Sequence, residues 1–222
     1  MSTPRRDAVA GSAPGAAKGT DQPAVTPGRG RRARSSPRSE AAILDAAYEL
    51  LLTYGLEATT VEAIAARAGV SKVTIYKWWP NRAAVIMTAF LRKSGSVLPY
   101  PEDFHIDHVE DRLLQMAEAF RGATGTAVAA LIAEGQFDPE IAQAFRDGYI
   151  NARREQGIDI VNAAITAGII READPDVILD LLYAPLYFRL MVGHRPLTDA
   201  AVREHVRLVL RALTPENDGP GN

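Results

Sequence analysis

Thr59-Thr60-Val61-Glu62-Ala63-Ile64-Ala65-Ala66-Arg67-Ala68-Gly69-Val70-Ser71-Lys72-Val73-Thr74-Ile75-Tyr76-Lys77-Trp78-Trp79-Pro80-Asn81-Arg82 is the stretch on which the fold turns. Val61, Ile64, Ala65 and Ala68 recur at helical spacing behind Thr60, whose hydroxyl suits a helix N-cap. Gly69 stops that helix. Ser71 then caps a second one, residues 72–78, which Pro80-Asn81 breaks before a further helix opens at Arg82. Two short helices joined by a glycine-centred turn are the arithmetic of a helix-turn-helix. Ile75 and Trp79, four apart, face inward with Val70, and Ala65 is small where the two helices should touch. Lys72, Val73, Thr74, Tyr76 and Lys77 are left on the outer face. Cations, a hydroxyl, a branched apolar side chain and a phenol suit base edges and phosphates.

Upstream, Ile43, Leu44, Ala47, Leu50, Leu51 and Tyr54 make one stripe of a helix over 39–54, with Gly55 as its stop. Downstream, the helix from Arg82 is expected to run to about Lys93, and Gly95, Pro99 and Pro101 close the small domain. Helical patterns then cover 107–121, 126–137, 139–167, 175–192 and 198–213, and nothing alternates like a strand for long enough to build a sheet. The expected fold is all-α. Its parts are a basic arm at 1–37, a helix-turn-helix domain at 38–97, a helical regulatory domain at 98–214 and a polar tail at 215–222.

The net charge of −2 conceals a gradient. Residues 1–38 carry eight basic and two acidic side chains, residues 39–95 six and five, and residues 96–222 eleven and twenty. A basic arm ahead of a near-neutral small domain points to a polyanion at that end, which the acidic remainder would repel. The arm has almost no large apolar residues and is expected to be disordered. Its Pro27-Gly28-Arg29-Gly30-Arg31-Arg32 has a composition able to thread a minor groove. It lacks the apolar core of a secretory signal, no apolar run is long enough to span a membrane, and there is no cysteine. The expected setting is cytoplasmic, without a membrane.

Taken together, the caps, the turn glycine, the Thr-x-Tyr of Thr74-Ile75-Tyr76 and the aromatic-Pro-x-basic ending at Trp79-Pro80-Asn81-Arg82 resemble the DNA-binding signature of the TetR family of bacterial repressors. The likeness spans about a quarter of the chain. It implies that Lys72, Val73, Thr74 and Lys77 reach bases while Thr60, Tyr76, Trp78 and Arg82 hold phosphates. Val73 stands where many members carry Gly or Ala, which gives a bulkier face suited to a thymine methyl. Asn81-Arg82-Ala83-Ala84 lacks the acidic residue common after the basic one, so that helix start is expected to be less well capped.

For the second domain the resemblance implies dimerisation through the last two helices and a small-molecule effector bound between the others. Over 177–192 apolar side chains point almost all round, as in a helix buried on two sides, and Pro185 should kink it. Val177, Leu181, Leu186, Phe188, Val202, Val206 and Val209 are the expected homodimer interface. Met116, Phe120, Phe137, Phe145, Tyr149, Tyr183 and Tyr187 either line an apolar effector cavity with phenol handles or form plain core. The expected partners are thus a double-stranded DNA operator, a second copy and an unidentified effector; a dimeric DNA-binding regulator without any effector is the alternative.

Enzyme signatures are missing from the sequence: no GxSxG, no GxGxxG after a strand, no HExxH and no Walker loop. Glu110 and Asp111 are adjacent, so on a helix they diverge and cannot share a proton. His105-x-x-His108 offers two ligands, which do not make a metal site. No catalytic residue, metal or cofactor is expected.

Overall fold

The computed structural model describes residues 37–97 and 105–215. All but the last residue of the basic arm, the Pro99 and Pro101 boundary, and the tail after Pro215 lie outside the described residues. Every regular element among them is helical.

α1 (Pro37–Ala58) outlasts its expected end because the chain resumes a helical turn beyond Gly55, which stands at φ 78°, ψ 179°. The Thr59 hydroxyl donates to the Gly55 carbonyl at 2.7 Å, satisfying an acceptor that the break leaves open. α2 (Val61–Ala68) and α3 (Lys72–Tyr76) are capped as their sequences foretell: Thr60 Oγ1 accepts from the Ala63 N–H and Ser71 Oγ from that of Thr74. Between them Gly69 takes the left-handed conformation, φ 66°, and the Val70 N–H reaches back to the Ala65 carbonyl at 3.0 Å.

α4 (Arg82–Val97) packs on α1 and runs through Ser94-Gly95. Ser94 is buried, and tertiary packing there overrides a weak helix propensity. Its start is capped after all: Asn81 Oδ1 accepts from the Ala84 N–H at 2.8 Å, so the amide does what the absent carboxylate was expected to do. Ile43, Leu51, Ile64, Ile75, Val85, Ile86 and Phe90 are almost wholly buried and make the core of this first domain.

A 3₁₀ turn (Ile106–His108) leads into α5 (Val109–Arg121), which packs on α6 (Ala123–Glu134). α7 (Pro139–Phe145), a π-helical turn (Arg146–Asn151) and α8 (Ala152–Thr166) form one continuous rod with a widened middle. α9 (Pro175–Val192) starts on an Asp174 cap and a first-turn proline, passes through Pro185 and ends at a left-handed Gly193. α10 (Asp199–Leu213), capped by Thr198, returns against α5 and α9. α1 also touches α6, and α4 touches α7, so the small domain rests directly on the second. Among the described residues no helix is long and apolar enough to cross a membrane.

Candidate nucleic-acid interface and ligand cavity

α3 is held from below and open above. Ile75 is fully buried and Trp79 nearly so, with the Trp79 indole N–H donating to Thr88 Oγ1 at 3.0 Å. Val73 is 67 % exposed and Tyr76 52 %, with Lys72, Lys77 and Trp78 exposed beside them. Large side chains with nothing from their own chain covering them mark a surface built for contact. Trp78 stacks on Trp79 at 6.0 Å between ring centres, so its indole is braced by a buried neighbour.

Four of the expected contact residues are engaged within the protein: Lys72, Arg82, Thr60 and Thr74, whose Oγ1 lies 3.0 Å from Ser71 Oγ. Lys72 Nζ donates to Glu62 Oε1 at 2.7 Å, an exposed pair between α2 and α3. That bond raises the Lys72 pKa and lowers that of Glu62. The ten-residue separation gives no helical register by which the pairing could be read from the sequence. Arg82 turns inward: Nη2 donates to the Leu56 carbonyl at 2.6 Å and Nε to the Thr59 carbonyl at 3.2 Å, with Glu134 Oε1 3.8 Å from Nη2. It braces the α1–α2 corner against α4 and faces α6, which differs from the outward phosphate contact expected of it. Thr60 remains exposed beside the start of α2 while its hydroxyl caps that helix.

The second domain encloses a cavity of about 80 Å³. Met116, Tyr149, Tyr183 and Tyr187 line it, as expected. Phe120 and Phe145 stand one layer behind, Phe120 edge-on to Tyr187 at 5.1 Å and Phe145 stacked on Tyr149 at 5.2 Å. Phe137 does not belong: it is 89 % exposed, because α6 ends at Glu134 and the chain turns outward before α7. The remaining wall is Ile150, Leu179 and three arginines, 112, 153 and 154, none of which the aromatic pattern had indicated. Arg112 is only 5 % exposed, and the Arg153 guanidinium lies 3.9 Å from the centre of the Tyr149 ring. Burial pushes the Tyr187 hydroxyl well above its ordinary pKa, and its neighbour Tyr149 adds to the shift. Burial also raises Tyr149, against the pull of Arg153 and Arg112. Both phenols are therefore neutral hydrogen-bonding groups near neutral pH.

The expected interface residues divide. Leu186, Val202, Val206 and Val209 are buried within the protomer and are corrected to its own core. Val177, Leu181 and Phe188 are exposed, and with Ala184 and Met191 they form a single seam along α9, spaced alternately by four and three residues. That spacing is the repeat by which one helix packs against another. His105 and His108 are exposed, and among the described residues no cluster of three or more potential metal ligands occurs.

The family model described as bacterial regulatory proteins, tetR family, matches residues 43–87, and that described as tetracyclin repressor-like, C-terminal domain, matches residues 108–209. The HTH-type transcriptional regulator YdeS of Bacillus subtilis is 39% identical over 178 residues, covering 78% of this chain and 90% of that protein. The HTH-type transcriptional regulator Rv1556 of Mycobacterium tuberculosis is 29% identical over 184 residues, covering 81% and 89%. The crystal structure of the TetR family transcription regulator SCO0332 superposes with a TM-score of 0.66 at 31% identity, covering 80% of this chain and all of that one.

Proposed function

Because this chain belongs to the TetR family of transcriptional regulators, with a DNA-binding helix-turn-helix and no enzymatic role, we propose that it acts as a homodimeric repressor released from a palindromic operator by a small effector. The carrying observation is the outer face of α3, where Val73 and Tyr76 stand exposed between two lysines while Ile75 and Trp79 anchor the helix from beneath. On this reading Val73, Thr74 and Lys77 approach base edges, and Tyr76, Trp78 and Thr60 hold phosphates. Lys72 joins the base contacts by exchanging its partner Glu62 for the nucleic acid. Arg82 positions the reader rather than touching DNA.

The α9 seam supports the homodimer, since an apolar row of this length on a helix surface needs a partner helix, and a two-fold axis supplies the same seam. The cavity supports an effector over the reading without one. Its wall carries phenol and guanidinium groups that a plain apolar core has no use for.

Selection of bound duplexes from a random pool should return a near-palindrome whose halves lie one helical turn apart. Fluorescence anisotropy on that duplex, at two salt concentrations, then tests the reader. Lys77→Ala should either flatten the salt slope by about one charge per protomer or relax one base position. Tyr76→Phe should weaken binding while the fold is unchanged. A folded double variant that bound like the parent protein would remove α3 as the reader.

A further inference from the structure

One carboxylate stands in the reading surface. Glu62 is the only acidic residue between Thr59 and Arg82, and it lies on the first turn of α2. Its Oε1 accepts from Nζ of Lys72, the first residue of α3, at 2.7 Å. Both side chains are open to solvent, Lys72 at 53 % exposure and Glu62 at 65 %. An exposed ion pair of this kind adds little to folding. Stability therefore does not account for an acid at a surface that meets phosphates, which repel a free carboxylate.

Once Lys72 turns to the nucleic acid, Glu62 faces the duplex with a bare charge and needs a donor. The major groove offers two, the amino groups of adenine and cytosine. Adenine's amino group lies between two acceptors, its own N7 and the O4 of the paired thymine, and both repel a carboxylate. Cytosine's has an acceptor on one side only, the guanine O6, and O6 with N7 is the edge that takes a lysine. Within the G·C pair, O6 accepts from N4 at the ordinary hydrogen-bond length of about 2.7–3.2 Å. The same spacing separates Lys72 Nζ from Glu62 Oε1. The ion pair is thus a complement to the edge of a G·C pair, donor against acceptor and acceptor against donor. We propose that Glu62 is a second base reader, its carboxylate accepting from a cytosine amino group while Lys72 donates to the guanine paired with it. This rests on the reading of α3 as the DNA contact.

Selection from a random pool with the parent protein, Glu62→Ala and Lys72→Ala reads the preference directly. The parent should return a fixed G·C pair in each half-site, and both variants should relax that same base pair. Anisotropy on the selected operator then tests the donor. N4-methylcytosine at that pair keeps the Watson–Crick bonds and puts a methyl group where the outward N–H stood. It should weaken the parent by about tenfold or more, the worth of a base contact, and Glu62→Ala by less than about twofold. Circular dichroism should be unchanged in both variants, whose altered side chains are exposed, and the cytosine substitution needs no variant at all. A carboxylate that served only as the counter-charge of Lys72 would behave otherwise. Glu62→Ala would then tighten every duplex alike and steepen the salt slope without changing the selected sequence. That result, relaxation of different base pairs in the two variants, or a parent indifferent to methylation at every cytosine overturns the inference. The Tyr76 and Lys77 double variant separates this failure from that of the reader. If it loses the operator while the parent ignores the methyl group, α3 reads DNA and Glu62 does not. If it binds like the parent, the reader lies elsewhere and the assignment of Glu62 falls with it.

Discussion

The turn between α2 and α3 depends on a residue with no side chain. Gly69 holds φ 66°, and a Cβ placed there would meet nothing within 4 Å. A substitution is therefore opposed by backbone strain alone, which separates this site from those where glycine makes room for a neighbour. Gly69→Ala should cost about 1–2 kcal/mol, read as a lower urea midpoint with an unchanged m value; no loss of stability would mean that the turn relaxes into another conformation. At this scale most of what the sequence shows is local chemistry. Thr60, Ser71 and Gly69 act on atoms three or four residues away, so their roles follow from spacing. Asn81 departs from the expected weak cap because its own amide oxygen, three residues before Ala84, takes the N–H that an acid after Arg82 would otherwise serve. Arg112 and Arg153 were invisible for a different reason: whether an arginine faces a cavity or water depends on where other helices come to lie.

Helices were legible from periodicity, and α2 and α9 fall where their patterns place them. The widened turn Arg146–Asn151 was not, because a π-helical turn changes hydrogen-bond register without changing the apolar pattern. That turn carries Tyr149 from the cavity wall to the first domain, where its ring lies 5.0 Å from that of Phe90 on α4. Phe145 completes the stack, 6.1 Å from Phe90. One aromatic cluster thus touches both the cavity and the helix that supports the reader. Phe90→Leu should keep the fold, at a cost of about 1–3 kcal/mol for a buried large-to-small change, and keep the separate affinities for effector and DNA. The coupling between them should shrink. Effector titrations with and without operator measure that coupling, which must be reciprocal; an undiminished value in the variant would rule out this route.

Taken whole, the protomer leaves one long apolar row uncovered, and here the sequence was ambiguous for a physical reason. A helix that is apolar all round announces two buried sides without saying which belongs to its own chain. Leu186 belongs to the protomer, at 2 % exposure, and Leu181 to the seam, at 49 %. The two positions should therefore answer a charge differently. Leu181→Glu should yield a folded monomer by sedimentation velocity, since its carboxylate can reach water once the partner leaves. Leu186→Glu should unfold the chain, because a buried unpaired charge costs several kcal/mol. A dimeric Leu181→Glu protein would place the interface elsewhere. The Arg82 brace sets the mechanical terms of such a dimer. With the Leu56 and Thr59 carbonyls bound to a side chain of α4, the first domain is cross-tied, so any tilt on its seat at α6 and α7 would move it as one block. The sixteen residues of α4 give that block a lever of about 24 Å. In the proposed dimer a tilt of about 5° at its base would swing each reading helix by about 2 Å, in opposite senses across the two-fold axis, against half-sites about 34 Å apart. A head without the brace would absorb the same tilt by shear between α1 and α2, and its two readers would stay in step with the grooves.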